Sequence, residues 1–409
     1  MILTIVLEQV ISPTDSMAML LVVLRKGAVY AVVAASMNLL NGFTGLFSLG
    51  QAGFMLLGAY TYAIFTIPAA ERGAVYQYYD SLLYLSFPEA LENAIGGPGM
   101  LLGVLIAIML AGLVAAAASF LIGIPVLKLK SDYLAIATLG FAEIIRAIMQ
   151  WGKFGPLTNA SNPLKNYVRL NDFRISAGGD GGATVYLGTF FIMLIASLCI
   201  LLIVLFVKSS YGRAFKAIRE DEIAAESMGI NLYRHKQLSF CVSSFFAGTG
   251  GAMLAMFTNT VQANNFKASM TYEILLIVVL GGIGSISGSC IGALLFISAS
   301  EWWLRGLDSG AFFGISAPRI FANGFRLVIF SIIIMTVVLF FRKGIMGERE
   351  LPAVWADLIK KRKAPANAAG GGTANAAGKG PAKAAGGGTA KAAGKGPANA
   401  AGGRAGGDE

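Results

Sequence analysis

Few residues in this 409-residue chain could do chemistry, and most of them lie inside or beside apolar runs. His235 is the only histidine, set among Tyr233, Arg234 and Lys236 in a basic loop. A Ser/His/Asp set or a histidine metal cluster would have to be built around it, and it reads as a solvated loop residue. Cys199, Cys241 and Cys290 all fall in apolar runs, odd in number and at no metal-ligand spacing, which argues against a disulfide framework or a zinc site. The acids within or at the ends of apolar runs are Glu143, Glu273 and Glu301. Glu143 and Arg146 are three residues apart and share a helix face, where they can offset each other's cost in lipid as a structural ion pair; a proton relay is the other use of such an acid. The run Gly281–Gly288 is glycine-rich but lacks the lysine of a phosphate-binding loop. The chain therefore shows neither a catalytic set nor an energy source of its own, and no cofactor or metal is expected.

The elements that must position these residues are apolar and long. Residues AVILMFWYC make up 56% of the chain and charged residues 13%, about half the charge of soluble domains. Apolar segments recur at 17–40, 51–67, 99–126, 133–151, 185–207, 237–258, 272–303 and 324–341. Each approaches the ~20 residues needed to cross ~30 Å of hydrocarbon. No period-2 alternation favours a barrel, so the expected fold is an all-α, polytopic integral membrane helix bundle of 8–9 transmembrane helices, some interrupted. Expected divisions are an N-terminal segment 1–26, a transmembrane domain 27–345 containing the loop 208–236, and a tail 346–409. The N-terminus has no basic n-region or small-residue cleavage site and reads as lacking a removable signal peptide.

Two segments are broken. Gly42-Phe43-Thr44-Gly45 and Ser48-Leu49-Gly50-Gln51 interrupt the first hairpin, and Gly281 to Gly288 divides 272–303 into two pieces. Irregular backbone at membrane depth survives where protein or a water-filled path covers it, so these glycines serve close helix packing or line a pathway.

Net charge is +10, of which nine Lys/Arg against three Asp/Glu from Leu351 onward supply +6. Together with the lack of an aromatic-interleaved basic patch, this excludes a nucleic-acid surface. Lys/Arg placement assigns the loop 208–236, the turn at Lys128 and Lys130, and the flank at Arg342 and Lys343 to the cytoplasm, with 68–98, 152–183, 259–271 and 304–323 outside. Nine crossings follow when the broken run counts twice; Arg25 and Lys26 fit that scheme poorly. Beyond Lys363 the Ala/Gly/Lys/Pro repeat, with Gly-Gly-Gly-Thr-Ala at 370–374 and 386–390, is too poor in large apolar residues to order itself.

From Gly212 to Met228 the basic loop predicts one helix closed by Gly229, with Ile218, Ala225 and Met228 as a modest apolar face. Such a helix docks on a soluble partner or lies on lipid headgroups.

Within it, Glu222-Ile223-Ala224-Ala225 with Gly229 resembles the coupling motif of ABC importer permeases, with Ile223 in the slot usually held by Glu. The longer string Gly212-Arg-Ala-Phe-Lys-Ala-Ile-Arg-Glu-Asp-Glu-Ile-Ala-Ala225 resembles the branched-chain amino acid permease family, in the branch called the M subunit. Asn38 to Gly42, Ser48 to Phe54 and Gly58-Ala59-Tyr60 resemble its first hairpin; Ser131 to Arg146 resembles its central helix, and Phe245 to Gly248 and Gly281 to Ser285 agree. The resemblance covers roughly 27–345. The chain departs from the family at 157–163, in the insert 70–98 and in its repeat tail.

The resemblance implies an inner-membrane permease subunit, not an enzyme, that imports branched-chain or similar hydrophobic amino acids. It would work with a second related permease, two ATP-binding cassette subunits and an extracytoplasmic solute-binding protein. Coupling residues are then Arg213, Arg219, Glu220, Asp221, Glu222, Ala224, Ala225 and Gly229. Small or neutral polar residues suited to passing a zwitterion are Ser48, Gln51, Thr138 and Gly282. The alternatives are a self-sufficient ion-coupled transporter, in which Glu143 would be indispensable, and a permease for urea or short amides.

Overall fold

A computed structural model describes residues 18–129, 131–176, 184–303, 311–312, 315–316, 331, 335, 344–347 and 350. The expectations for Lys130, Arg342, Lys343, the segment 324–341 and the repeat tail lie outside these residues.

Helix α1 (Ala18–Asn38) is apolar almost all round and buried almost all round, with Val29, Val32, Val33, Ala34 and Ala35 fully enclosed, as a central helix must be. It continues as a π-helical turn, Leu39–Phe43, before the chain straightens and α2 (Gln51–Thr66) begins. The insert then supplies α3 (Phe87–Ile95), which packs on the start of α4 (Gly97–Val126). After α5 (Ser131–Gln150) come α6 (Gly188–Lys208) and the two short helices α7 (Ser210–Glu220) and α8 (Glu222–Ser227). The bundle is completed by α9 (Leu232–Phe257), α10 (Ala268–Gly281) and α11 (Ile286–Ile297), the last extended by a π-helical turn, Ser298–Trp303. Among the described residues, strands are confined to two short antiparallel pairs, Arg174–Ser176 with Thr184–Tyr186 and Ala311–Phe312 with Ile315–Ser316.

Among the described residues, five helices are long and apolar enough to cross a membrane: Met19–Phe43, Pro98–Val126, Tyr133–Gln150, Gly188–Lys208 and Leu232–Phe257. Two bent pairs bring this to seven if each counts once: Gln51–Thr66 with Ala69–Val75, bent by 102°, and Ala268–Gly281 with Ile286–Glu301, bent by 119°. The expected nine counts the halves of the second pair separately and includes 324–341. The protein is thus a polytopic α-helical membrane bundle. Outward faces of α4 and α6 expose Met109, Leu113, Leu121, Leu198, Leu201 and Leu205, side chains that only hydrocarbon solvates well. The inner helices approach closely, with Gly58 of α2 against the backbone of Gly248 in α9.

Two expected boundaries move. Position 27 falls inside α1, and the tail does not detach at 346. The Ile345 N–H donates to the Leu280 carbonyl (2.9 Å) and Met346 N–H to the Gly281 carbonyl (3.2 Å), so the chain is still packed on the bundle there. Arg25 and Lys26 are reconciled with their depth by partners: Arg25 Nε donates to Thr189 Oγ1 (2.6 Å), and Lys26 pairs with Glu301.

The insert 70–98 is tied to the end of α2 by one buried guanidinium. Arg72 is 1% exposed and donates to the carbonyls of Ile64 (2.9 Å) and Leu85 (2.9 Å), and to that of Leu83. On the same side, Tyr62 donates to the Val168 carbonyl (2.8 Å) and Tyr167 to that of Thr258 (2.7 Å).

Candidate functional site

A helix that breaks in an apolar interior strips several backbone groups of their partners, and each must find a substitute. At the first break side chains supply them. Asn41 Oδ1 accepts the Ser48 N–H (3.2 Å), and Thr138 Oγ1 of α5 accepts that of Leu49 (3.0 Å) while donating to the Ala135 carbonyl (3.0 Å). Ser48 Oγ accepts weakly from the Gly50 N–H (3.4 Å), and Thr271 Oγ1 of α10 accepts that of Ala52 (3.2 Å). Gln51 Nε2 donates to Ser36 Oγ (2.7 Å). Ser48, Gln51 and Thr138 are therefore brought together, each 2% exposed and each engaged in holding this stretch.

The second break is a glycine turn. Gly282 and Gly284 have φ of +117° and +90°, a region that costs a residue with a Cβ. One side chain from α1 closes it. Fully buried Asn38 receives the Gly284 N–H at Oδ1 (2.8 Å), and its Nδ2 reaches the carbonyls of Ser285 (2.9 Å) and Gly282 (3.3 Å) and Ser289 Oγ (2.7 Å). The two breaks touch: a Cβ at Gly42 would lie 2.6 Å from the Gly284 nitrogen. Gly282 is thus joined to the other pathway candidates through Asn38 and Gly42. Asn38 is the residue that reading the sequence left off the site; a lone amide in the run Ser36-Met-Asn-Leu-Leu, just before Gly42, was the available signal.

Both breaks meet the surface helices at Arg219. Its Nη1 donates to the Gly42 carbonyl (2.9 Å), its Cγ lies 3.0 Å from where a Cβ of Gly45 would stand, and Nη1 lies 3.2 Å from the same point at Gly284. The guanidinium is braced by Glu220 (Nη2 to Oε1, 2.7 Å).

The expected single helix 212–228 is two helices. Asp221 is extended (φ −158°, ψ 114°), and its Oδ1 caps α8 by accepting from the N–H groups of Ile223 (2.8 Å) and Ala224 (3.0 Å). An aspartate whose side chain satisfies orphan donors of the next helix competes with continuation of the previous one. The break also overturns the expected apolar face. Ile218 and Ala225 are buried, but Met228 is 83% exposed, and Ile223 near the start of the same helix is 82% exposed. Gly229 ends α8 with φ +84°, its N–H donating to the Glu226 carbonyl (2.9 Å). Glu222 pairs with Lys236 at the start of α9 (2.6 Å), Ala224 is exposed, and Arg213 is exposed at the mouth of a pocket beside α6. His235 is no isolated loop residue: it lies in α9, with Nδ1 2.8 Å from the Asn231 carbonyl.

Glu143 and Arg146 meet as a pair on α5 (Nε to Oε2, 2.7 Å). They share α5 with Thr138, but among the described residues no hydrogen bond or ion pair joins them to either break.

Comparison with known proteins agrees with this architecture. A family model described as "Branched-chain amino acid transport system / permease component" matches residues 19–341. The chain is 31% identical over 291 residues to the high-affinity branched-chain amino acid transport system permease protein LivM of Escherichia coli, covering 67% of this chain and 61% of that one. It is 25% identical over 284 residues to the probable LivM of Methanocaldococcus jannaschii, covering 66% and 76%. It is also 30% identical over 165 residues to LivH of Salmonella typhimurium, covering 40% and 48%. The chain thus spans about three fifths of the Escherichia coli relative's length. No solved structure matches it. A multi-pass protein of the inner membrane and a transport component rather than an enzyme, this chain belongs to the branched-chain amino acid transport system permease family.

Proposed function

We propose that the chain is one of two related permease subunits of an ATP-driven importer for branched-chain or similar hydrophobic amino acids. One contact carries the mechanism: Arg219, in the segment that resembles a coupling motif, holds the carbonyl at the break of α1 and lies over the break between α10 and α11.

In this reading two ATP-binding cassette subunits sit on the cytoplasmic side and contact the chain at α8, where Ile223 and Met228 are apolar surface left uncovered by the described residues. Glu222–Lys236 and buried Ala225 make α8 follow α9, so a push is not lost in local bending. Arg219 passes the displacement to Gly42 and Gly284. Ser48, Gln51, Thr138 and Gly282 then exchange their internal bonds for a path past which a zwitterion moves, delivered from outside by a solute-binding protein. Small neutral groups suit this because binding must stay weak enough for release. Breaks stitched by single hydrogen bonds, each contributing ~1 kcal/mol net, can be rearranged within the energy of one ATP cycle.

The test is reconstitution of the chain with its partner permease, ATPase subunits and binding protein in liposomes. Arg219→Ala is expected to leave ATP hydrolysis within about twofold and reduce leucine uptake by at least tenfold. Concentrative uptake by the purified chain alone, with no nucleotide-hydrolysing partner present, would overturn the reading.

A further inference from the structure

A pocket of about 450 Å³ opens between the end of α6, the start of α7 and the α10–α11 break. Its wall along α6 is apolar, formed by Ile200, Val204 and Val207, while Lys208, Arg213 and Lys216 stand around its mouth. All three cations are exposed, and none has a carboxylate within ion-pair distance among the described residues. Lys216 lies 5.4 Å from the centre of the Phe43 ring, a contact that leaves its charge uncancelled. Among the described residues that line the pocket, the one acid is already engaged. Glu350 accepts from the N–H groups of Ile286 (2.9 Å) and Ser287 (3.2 Å) and from Ser287 Oγ (2.6 Å), where the N-terminal end of α11 favours negative charge.

The pocket therefore joins an excess of positive charge to a hydrocarbon-like wall. Its depth is fixed by the sequence, since Lys208 is the last residue of a 21-residue apolar helix and so stands at the membrane boundary. The opposite face of α6, at Leu198, Leu201, Leu202 and Leu205, is exposed to acyl chains, so the wall is carried by a lipid-contacting helix. A free anion would use the cations and leave the wall empty. An acidic peptide would do the same. We infer that this pocket binds an anionic glycerophospholipid of the adjoining leaflet, its phosphate among Lys208, Arg213 and Lys216 and one acyl chain along Ile200 and Val204. The inference is independent of the proposed transport mechanism, because it concerns binding alone.

The experiment titrates fluorescent phosphatidylglycerol into the full-length chain purified in mild detergent. Each cation beside an anionic headgroup strengthens binding about fivefold, so replacing all three by Gln is expected to weaken it roughly a hundredfold. Val204→Trp fills the wall and keeps every charge; it is expected to weaken binding at least tenfold. Both variants must keep the parent's thermal unfolding midpoint, and Lys216→Gln alone, with an expected fivefold loss, serves if the triple variant does not fold. Phosphatidylcholine binding as tightly as phosphatidylglycerol overturns the inference. So does displacement of the lipid by millimolar inorganic phosphate, unchanged binding in Val204→Trp, or a photo-crosslinker at position 204 that captures protein rather than lipid in native membranes.

Discussion

The two breaks solve one problem in different ways. The stretch between α1 and α2 is extended over several residues, and its amides are satisfied piecemeal by Asn41, by Thr138 from α5 and by Thr271 from α10. The turn between α10 and α11 is short and shaped by glycines at positive φ; Asn38 satisfies its Gly282, Gly284 and Ser285 groups, while Glu350 caps the α11 end at Ile286 and Ser287. The first break yields when any of its suppliers moves; the glycine turn of the second moves with α1, which carries Asn38. Because Asn38 lies just before the first break, motion of α1 reaches both.

Disrupting the single-residue closure should cost most. Asn38→Leu strands the Gly284 N–H and the Ser285 carbonyl in a fully buried site, and a loss of about 3 kcal/mol or more is expected, since each unsatisfied buried group costs ~1–3 kcal/mol. Thermal unfolding in detergent measures it, and a loss below that for Thr138→Val would reverse the ranking of the two breaks. Thr138→Val removes one acceptor out of several and is expected to cost about 1–2 kcal/mol, with Thr138→Ser recovering most of it. Gly229→Val meets no neighbouring atom, so its cost is backbone strain at φ +84° alone, about 1 kcal/mol; its mark should be reduced uptake per ATP hydrolysed in the reconstituted complex. Least affected should be Glu143→Gln, because its pair with Arg146 is half-exposed on a helix face and such pairs contribute roughly 0.3–0.5 kcal/mol. Uptake unchanged within twofold is expected, and abolished uptake would bring back the ion-coupled alternative.

Much of this architecture is legible in the residues because lipid imposes a simple rule: a span must be apolar and long. Seven of the eight apolar runs read that way hold helices of the described bundle, and the glycine and serine density at 281–288 marks the second break. The pairing of Gln51 with Ser36 and of Leu49 with Thr138 was not legible, because such bonds join positions that become neighbours only after the chain has turned back on itself. The single helix expected at 212–228 failed for a local reason. Arg219-Glu-Asp-Glu222 suits a helix interior as readily as a cap, and only the bonds from Asp221 to the next two amides decide. Met228 was misplaced as a consequence, since the break at Asp221 re-aims everything after it. The role of Glu350 is not legible either, because it falls within the expected tail 346–409 and nothing near it in sequence hints at the α11 terminus it caps.

The bond set of Arg72 carries one more consequence. A guanidinium gripping the carbonyls of Ile64, Leu83 and Leu85 acts as a rivet between the far end of α2 and the lobe beyond it. Those bonds would have to break before the lobe could part from the helix, so a displacement of the far end of α2 carries the lobe with it.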